Sequence, residues 1–263
     1  MNIFKNLYEY RELLKTSVKK DVRGKYKNSF LGVFWSFLNP LLQIAVYAFV
    51  FDKILGAGEP NYAVFICCGL IPWTFFSAAV NRCAYTMIEN GGIIKKVFFP
   101  REILPISVVT AEAVNFVISS VIIVCFVLLN GLGFYWTWIF YPILLMVLYF
   151  FLIAISFFVS SITVYFRDLQ HFIGVVLQLL FYATPIAYAS SRVPSQFSWV
   201  VKLNPVAYVI EGFRSIFIFH SIPDLLPLII IVGISLFFCF IGYLVFSKLQ
   251  KGFEEELKKL IYR

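Results

Sequence analysis

A chain of 263 residues that is 61% hydrophobic and only 14% charged carries more apolar surface than one soluble core can hide. Soluble domains are about 45–50% apolar and about 25% charged, and a core of this size buries only about 75% of the unfolded surface, so lipid must cover the rest. The net charge of +8 is not the basic, stacking face of a nucleic-acid binder, because the cations gather at the ends of apolar runs, where they set membrane orientation.

In chain order, Ile3, Leu7, Tyr10, Leu14 and Val18 recur at helical spacing, with Lys5, Glu9, Glu12, Lys15 and Lys19 on other faces. This pattern predicts an amphipathic helix in the membrane interface, with packing on cytoplasmic protein as the alternative. A bilayer core about 30 Å thick needs roughly 20 apolar residues of helix. Six stretches qualify, at about 33–51, 62–84, 104–129, 138–165, 172–188 and 225–246. Segment 189–224 is too polar to span, carrying Arg192, Lys202, Glu211 and Arg214, yet it holds Phe197, Trp199 and the apolar run 216–219. Divided by Pro194 and Pro205, it predicts a re-entrant pair of short helices whose backbone must be shielded from lipid.

With a cytoplasmic N-terminus, the inside segments collect nearly all Lys and Arg, leaving only Lys53, Arg192, Lys202 and Arg214 outside. Both termini are therefore expected in the cytoplasm. The charged N-terminus has no apolar stretch followed by a small-residue cleavage site, so no signal peptide is expected. With no repeat or Gly/Ser linker, the chain reads as one membrane domain, 1–263: interfacial helix 1–32, six-span core 33–246 and cytoplasmic tail 247–263.

Catalytic and metal chemistry is hard to place. The only Gly-Lys pair, Gly24-Lys25, is followed by Tyr26 and lacks the upstream glycine of a phosphate-binding loop, so no ATPase site is expected. Three of the 14 acids form the tail run 254–256 and the others are scattered; His171 and His220 show no catalytic arrangement. The five cysteines, Cys67, Cys68, Cys83, Cys125 and Cys239, read as small apolar residues, and no metal is expected. Glu112 and Asn115, at i, i+3 in the third span, are either a proton or cation site or an interhelical hydrogen-bonded contact. A mostly apolar, aromatic-rich interior suits a large amphipathic substrate better than a small ion.

Specific residues narrow this further. The first span is entered through Lys25-Tyr26-Lys27-Asn28-Ser29-Phe30-Leu31-Gly32-Val33-Phe34-Trp35 and then Asn39-Pro40-Leu41, and the second contains Gly69-Leu70-Ile71-Pro72-Trp73. The next loop reads Glu89-Asn90-Gly91-Gly92-Ile93-Ile94-Lys95-Lys96-Val97-Phe98-Phe99-Pro100-Arg101-Glu102. Then come Tyr165-Phe166-Arg167-Asp168, Thr184-Pro185-Ile186, Asn204-Pro205 and Arg214. In this order the series resembles the permease subunit of ABC transporters that export lipid-linked polysaccharide, the family of O-antigen, teichoic acid and some capsule exporters. The resemblance covers about residues 20–215. It departs at Gly91-Gly92-Ile93, where the family often has a bulkier residue, and two glycines cost a helix roughly 1–2 kcal/mol.

The resemblance implies an all-α, six-span subunit that pairs with a second copy of itself in a bacterial cytoplasmic membrane. Two cytoplasmic ATP-binding subunits would bind the ATP and Mg, leaving this chain without cofactor or enzymatic activity, and an undecaprenyl-type lipid-linked glycan would be the cargo. Glu89, Asn90, Lys95, Lys96, Phe98, Arg101 and Glu102 would form the coupling loop to the ATPase, with the Phe98-Phe99-Pro100 insertion as an aromatic anchor; a merely orienting basic loop is the plainer alternative. Sugar C–H faces stack on aromatic rings, so Trp35, Tyr47, Phe51, Trp73, Phe76, Phe181 and Tyr182 are candidates for the translocation path, against the plainer reading as packing or interfacial residues. Trp199, Asn204 and Tyr208 are the expected outer gate. A self-sufficient channel or ion-coupled carrier, and a membrane glycosyltransferase, are the competing functions.

Overall fold

The computed structural model describes residues 3–24, 34–54, 56, 59–94, 96–253 and 256. Among these every regular element is helical. The chain runs through α1 (Ile3–Glu9), α2 (Arg11–Gly24) and α3 (Trp35–Tyr47), which continues as a π-helical segment, Ala48–Ile54. Then follow α4 (Tyr62–Glu89), the single turn α5 (Gly91–Ile94), α6 (Ile103–Leu129), and a 3₁₀ stretch, Trp136–Phe140, leading into α7 (Tyr141–Tyr165). The last helices are α8 (Asp168–Ala183), α9 (Ser198–Lys202), α10 (Pro205–Phe217) and α11 (Leu225–Leu249). The entry motif at 25–33, Lys95 and most of the tail lie outside the described residues.

Among the described residues, five helical stretches are long and apolar enough to cross a membrane: Trp35–Ile54, Tyr62–Glu89, Ile103–Leu129, Trp136–Tyr165 and Leu225–Gly252. The remaining expected span, the fifth in chain order, is the shorter apolar helix Asp168–Ala183. Its 16 residues rise about 24 Å at 1.5 Å each, less than a bilayer core. Both ends have local causes. The polar Asp168, Gln170 and His171 belong to the helix, not to the loop before it. At the other end Thr184 is extended (φ −94°, ψ 135°), as a residue before proline prefers, so Pro185 stops the helix short of 188.

The core is organised around α4, which packs on α6, α7, α8 and α10, while α11 packs on α7. Most of α4's apolar window is buried (78%), against 11% for the stretch containing α3. Two glycines permit close approaches. A Cβ at Gly69 would stand 2.9 Å from the Ile186 carbonyl oxygen, and one at Gly212 would stand 2.6 Å from the Leu144 side chain, so α4 meets the Ile186 backbone and α10 meets the Leu144 side chain of α7 with no room for a Cβ.

Segment 189–224 folds as 3₁₀ turns, α9 and α10. Asn204 caps α10, its side chain accepting from the Val206 N–H at 3.0 Å, and Pro205 occupies the first helical position, where no amide hydrogen is needed. Val206, Val209, Ile210, Phe213, Ile216 and Phe217 are buried against the bundle. Of Arg192, Lys202, Glu211 and Arg214, only Arg192 lies in a turn; Lys202 ends α9, and Glu211 and Arg214 belong to α10.

Polar contacts sort the connections into two ends. The basic end joins the Asn6 amide to Glu102 (2.9 Å), Lys20 to Asn90 (3.4 Å), Gln170 to the Ala84 carbonyl (3.2 Å) and Tyr165 to the Leu249 carbonyl (2.7 Å). The far end joins Glu59 to Arg192 (2.8 Å), Tyr62 to the Ala187 carbonyl (2.8 Å) and Thr137 to the Ile216 carbonyl (3.0 Å). Helices α1 and α2 belong to the basic end. Ile3, Leu7, Tyr10, Leu13 and Leu14 pack partly on the core and leave the charged face outside. There Lys15 bonds Glu12 at 2.9 Å and holds its carboxyl below the ordinary carboxylate value.

Candidate functional site

The connection between α4 and α6 is the first candidate. Asn90 closes α4 by donating to the Thr86 carbonyl (2.8 Å) and accepts from Lys20 of α2. Despite its two glycines, Gly91–Ile94 is one helical turn, with Ile93 and Ile94 both donating to the Asn90 carbonyl at 3.0 Å. Ile94 and Phe99 plug into the core, and between them the chain turns outward. Phe98 is 93% exposed there, flanked by exposed Ile93, Lys96 and Val97. The descending limb is braced by Arg101, which donates to the Gln250 carbonyl, and by Glu102, which accepts from Asn6.

Of the seven coupling candidates, Lys95 lies outside the described residues and the other six divide. Glu89, Lys96 and Phe98 face outward, whereas Asn90 and Arg101 are half-buried braces. Glu102, expected on the loop's surface, is 2% exposed; its carboxylate is turned inward to the Asn6 amide.

The aromatic candidates converge. Ring centroids connect Phe51 to Tyr47 (6.2 Å), Tyr47 to Phe181 (5.7 Å), Phe181 to Trp73 (5.7 Å) and Trp73 to Phe76 (5.3 Å), with Tyr182 at 5.4 Å from Phe181. Six of the residues thus form one continuous band across α3 and its π-helical continuation, α4 and α8. Within it Trp73 and Phe76 are buried and Tyr182 is exposed. Trp35 stands apart, at the mouth of a cavity of about 320 Å³ that also holds Asn39, Gln43, Thr74 and Glu112. A second hollow of about 500 Å³ runs on from it, sharing Gln43 and Thr74 and lined by Tyr47, Trp73 and Phe181. Polar amides and aromatic faces therefore line one groove beside α3.

Glu112, inside that cavity, accepts from Arg82 at 2.8 Å and from Asn115 at 3.2 Å. Arg82 also meets Asp21 of α2 at 3.3 Å. The Glu112–Asn115 bond lies within α6, and the interhelical contact here is the one from Arg82 of α4 to Glu112.

At the far end, Asn204 donates to the Thr184 hydroxyl at 2.7 Å, tying α10 to the break after α8. Tyr208 donates to the Lys202 carbonyl (3.1 Å), and Trp199 is exposed. Arg214 is completely buried, donating to Glu211 (2.9 Å) and to the Ile186 carbonyl (2.8 Å), with its guanidinium carbon 3.6 Å from the centre of the Phe65 ring. Glu211 also accepts from Ser190 (2.8 Å).

Against known proteins, the family model described as ABC-2 type transporter matches residues 12–218. The chain belongs to the ABC-2 type transporter family. It is 34% identical over 254 residues to an O-antigen export system permease protein, RfbA, of Klebsiella pneumoniae, covering 96% of this chain and 97% of that one. It is 31% identical over 259 residues to RfbA of Myxococcus xanthus, covering 98% and 100%. A polysialic acid transport protein, KpsM, of Escherichia coli is 25% identical over 201 residues, 73% of this chain and 76% of that one. The family match begins within α2 and ends beside α10, so it takes in the braced loop, the aromatic band and Arg214.

Two residues of this ABC-2 chain take on parts that the sequence alone did not assign. Arg82 reads there only as an orienting cation at the end of a span; the available signal was its opposite charge to Glu112, another ionisable group inside an apolar run. Asp21 had no signal, since an acid on an amphipathic helix ordinarily faces water.

Proposed function

We propose that this chain is the membrane permease of an ATP-driven exporter of lipid-linked polysaccharide. The observation that carries this reading is the 31–34% identity, over nearly the whole chain, to proteins named O-antigen export system permease. In it α3, α4, α6, α7, α8 and α11 are six crossings and residues 1–263 one membrane domain. Helix α8 reaches the far side with the help of segment 184–188, and α9–α10 is a re-entrant gate with Trp199, Asn204 and Tyr208 at its outer rim. The basic end faces the cytoplasm, with both termini, because Lys and Arg concentrate on inside segments.

Two copies pair through the faces carrying α3 and α8. Support comes from α3 itself, which is the least buried of the long apolar stretches yet presents Asn39 and Gln43, exposed and one turn apart. Lipid cannot satisfy two amides; a partner copy, water or glycan hydroxyls can. The aromatic band then lines the path, where stacking on sugar faces lets a polymer slide. Energy enters at Phe98. An exposed phenylalanine on a loop braced at Asn90, Arg101 and Glu102 transmits a push as a rigid body. Separate ATP-binding subunits supply the ATP and Mg chemistry.

The test is co-purification of the full chain with its ATP-binding subunit and transport of lipid-linked glycan into inverted vesicles, with Phe98→Asp beside the native chain. Loss of both ATPase recruitment and transport is expected. Intact transport without any ATPase would sink the reading and favour a channel or carrier. The Glu112 pairing opposes an ion-coupled mechanism, since Arg82 already balances the carboxylate.

A further inference from the structure

Helix α2 carries two parallel stripes. Leu14, Val18 and Val22 recur every fourth residue, and Lys15, Lys19 and Arg23 recur beside them. Together with Thr110 and Val114 of α6 these six residues enclose a groove of about 520 Å³ with an apolar floor and a cationic rim. The rim is largely unneutralised: Lys15 bonds Glu12, while among the described residues Lys19 and Arg23 form no ion pair. Asp21, the other acid of α2, is engaged by Arg82.

The position on α6 says what the groove faces. At about 100° per residue, Thr110 and Val114 leave the helix on the side opposite to Glu112, Asn115 and Ser119, which line the cavity beside α3. Continuing outward on the same side as Val114 come Val117, Val121 and Leu128, between 47% and 55% exposed. An apolar track thus rises from the cationic rim along the outer face of the bundle, away from the groove beside α3.

We propose that this groove is a binding site for an anionic membrane phospholipid of the cytoplasmic leaflet. Its phosphate sits among Lys15, Lys19 and Arg23, and one acyl chain lies on Val114, Val117 and Val121. A free phosphate ion has no use for the apolar track, and a zwitterionic lipid gains little from the three cations. Because α2 also holds the α4–α6 connection through Lys20–Asn90, the bound lipid steadies the helix that braces that loop.

Native mass spectrometry of the full chain in a lipid-retaining detergent tests this, titrating phosphatidylglycerol, phosphatidylethanolamine, inorganic phosphate or a polyprenyl diphosphate. The native chain should bind phosphatidylglycerol at least about tenfold more tightly than phosphatidylethanolamine. Each of Lys15→Gln, Lys19→Gln and Arg23→Gln should weaken it about fivefold, and the triple variant roughly a hundredfold, as expected for about 1 kcal/mol per cation near a lipid surface. Lys15→Arg and Lys19→Arg should retain binding, as should Lys5→Gln, whose cation pairs with Glu9 outside the groove. The rim residues are exposed, so melting temperatures should not move. Equal binding of the two phospholipids, or a triple variant that binds like the native chain, would overturn the proposal. So would displacement of phosphatidylglycerol by equimolar polyprenyl diphosphate or by inorganic phosphate.

Discussion

Two arginines stand among apolar helices at opposite ends of the molecule, and their partners differ in kind. Arg214 is wholly buried and takes its partners from close by in the fold: Glu211 on its own helix, the Ile186 carbonyl in the break after α8, and the Phe65 ring beneath it. Arg82 keeps a third of its side chain exposed and joins acids from two other elements, Asp21 of α2 and Glu112 of α6. The first arrangement fixes the shape of an irregular segment. The second fixes how the amphipathic helix α2 sits on the bundle. A fully desolvated cation makes a rigid wall, and a bridging cation at the rim makes a joint.

That contrast orders the expected effects. Arg214→Leu should be the most damaging, because Glu211 and the Ile186 carbonyl lose their donor inside the protein, and removing one partner of a buried pair costs about 3–5 kcal/mol. Little folded protein should survive detergent extraction, and Arg214→Lys should not rescue it, since an ammonium cannot lie flat on Phe65 while reaching both acceptors. A melting temperature unchanged in Arg214→Leu would erase the distinction between wall and joint. Arg82→Gln should cost less, about 2–3 kcal/mol, because water reaches part of the site and screens the remaining charge. Adding Glu112→Gln should recover at least half of that loss. Strictly additive losses in a double-mutant cycle would mean that the two do not act as a pair. Asn204→Ala comes next, at about 1–2 kcal/mol, for a lost helix cap and a lost bond to Thr184. Hydrogen exchange should speed up in the first turn of α10 and stay slow in α4.

The same contrast explains what the sequence disclosed. The apolar stretches 62–84 and 104–129 are legible because long spans need nothing but continuous apolar residues, and both are found as α4 and α6. The fifth stretch is misjudged at both ends: a hydropathy count rejects the polar turn at Asp168–His171, which is helical, and runs past Pro185, which is not. Phe98 could be singled out, because an aromatic among loop cations contradicts its surroundings. Glu102 could not be separated from it, since a carboxylate in a basic loop looks the same whether it faces water or Asn6. The Arg82 joint was hidden for a geometric reason: its partners are 30 positions later and on a helix near the N-terminus, and no periodicity links the three. The aromatic band is intermediate, since stacking chemistry picked its members and only the fold puts six of them in contact.

Phe98→Asp is the smallest perturbation of the folded chain and the sharpest test of its use. With 93% of the side chain already in water, the substitution removes almost no packing, and melting should shift by less than about 0.5 kcal/mol equivalent. Nothing in the chain's own stability accounts for a large exposed ring at that position, held out by two buried neighbours, Ile94 and Phe99. If the ring is the anchor of an ATPase contact, recruitment of the ATP-binding subunit and glycan export should fall together while the protein stays folded. A hydrophobic anchor tolerates another hydrophobe better than a charge, so Phe98→Leu should retain part of both activities and Phe98→Asp neither. Full recruitment and export in both variants would instead leave the basic loop with no role beyond membrane orientation.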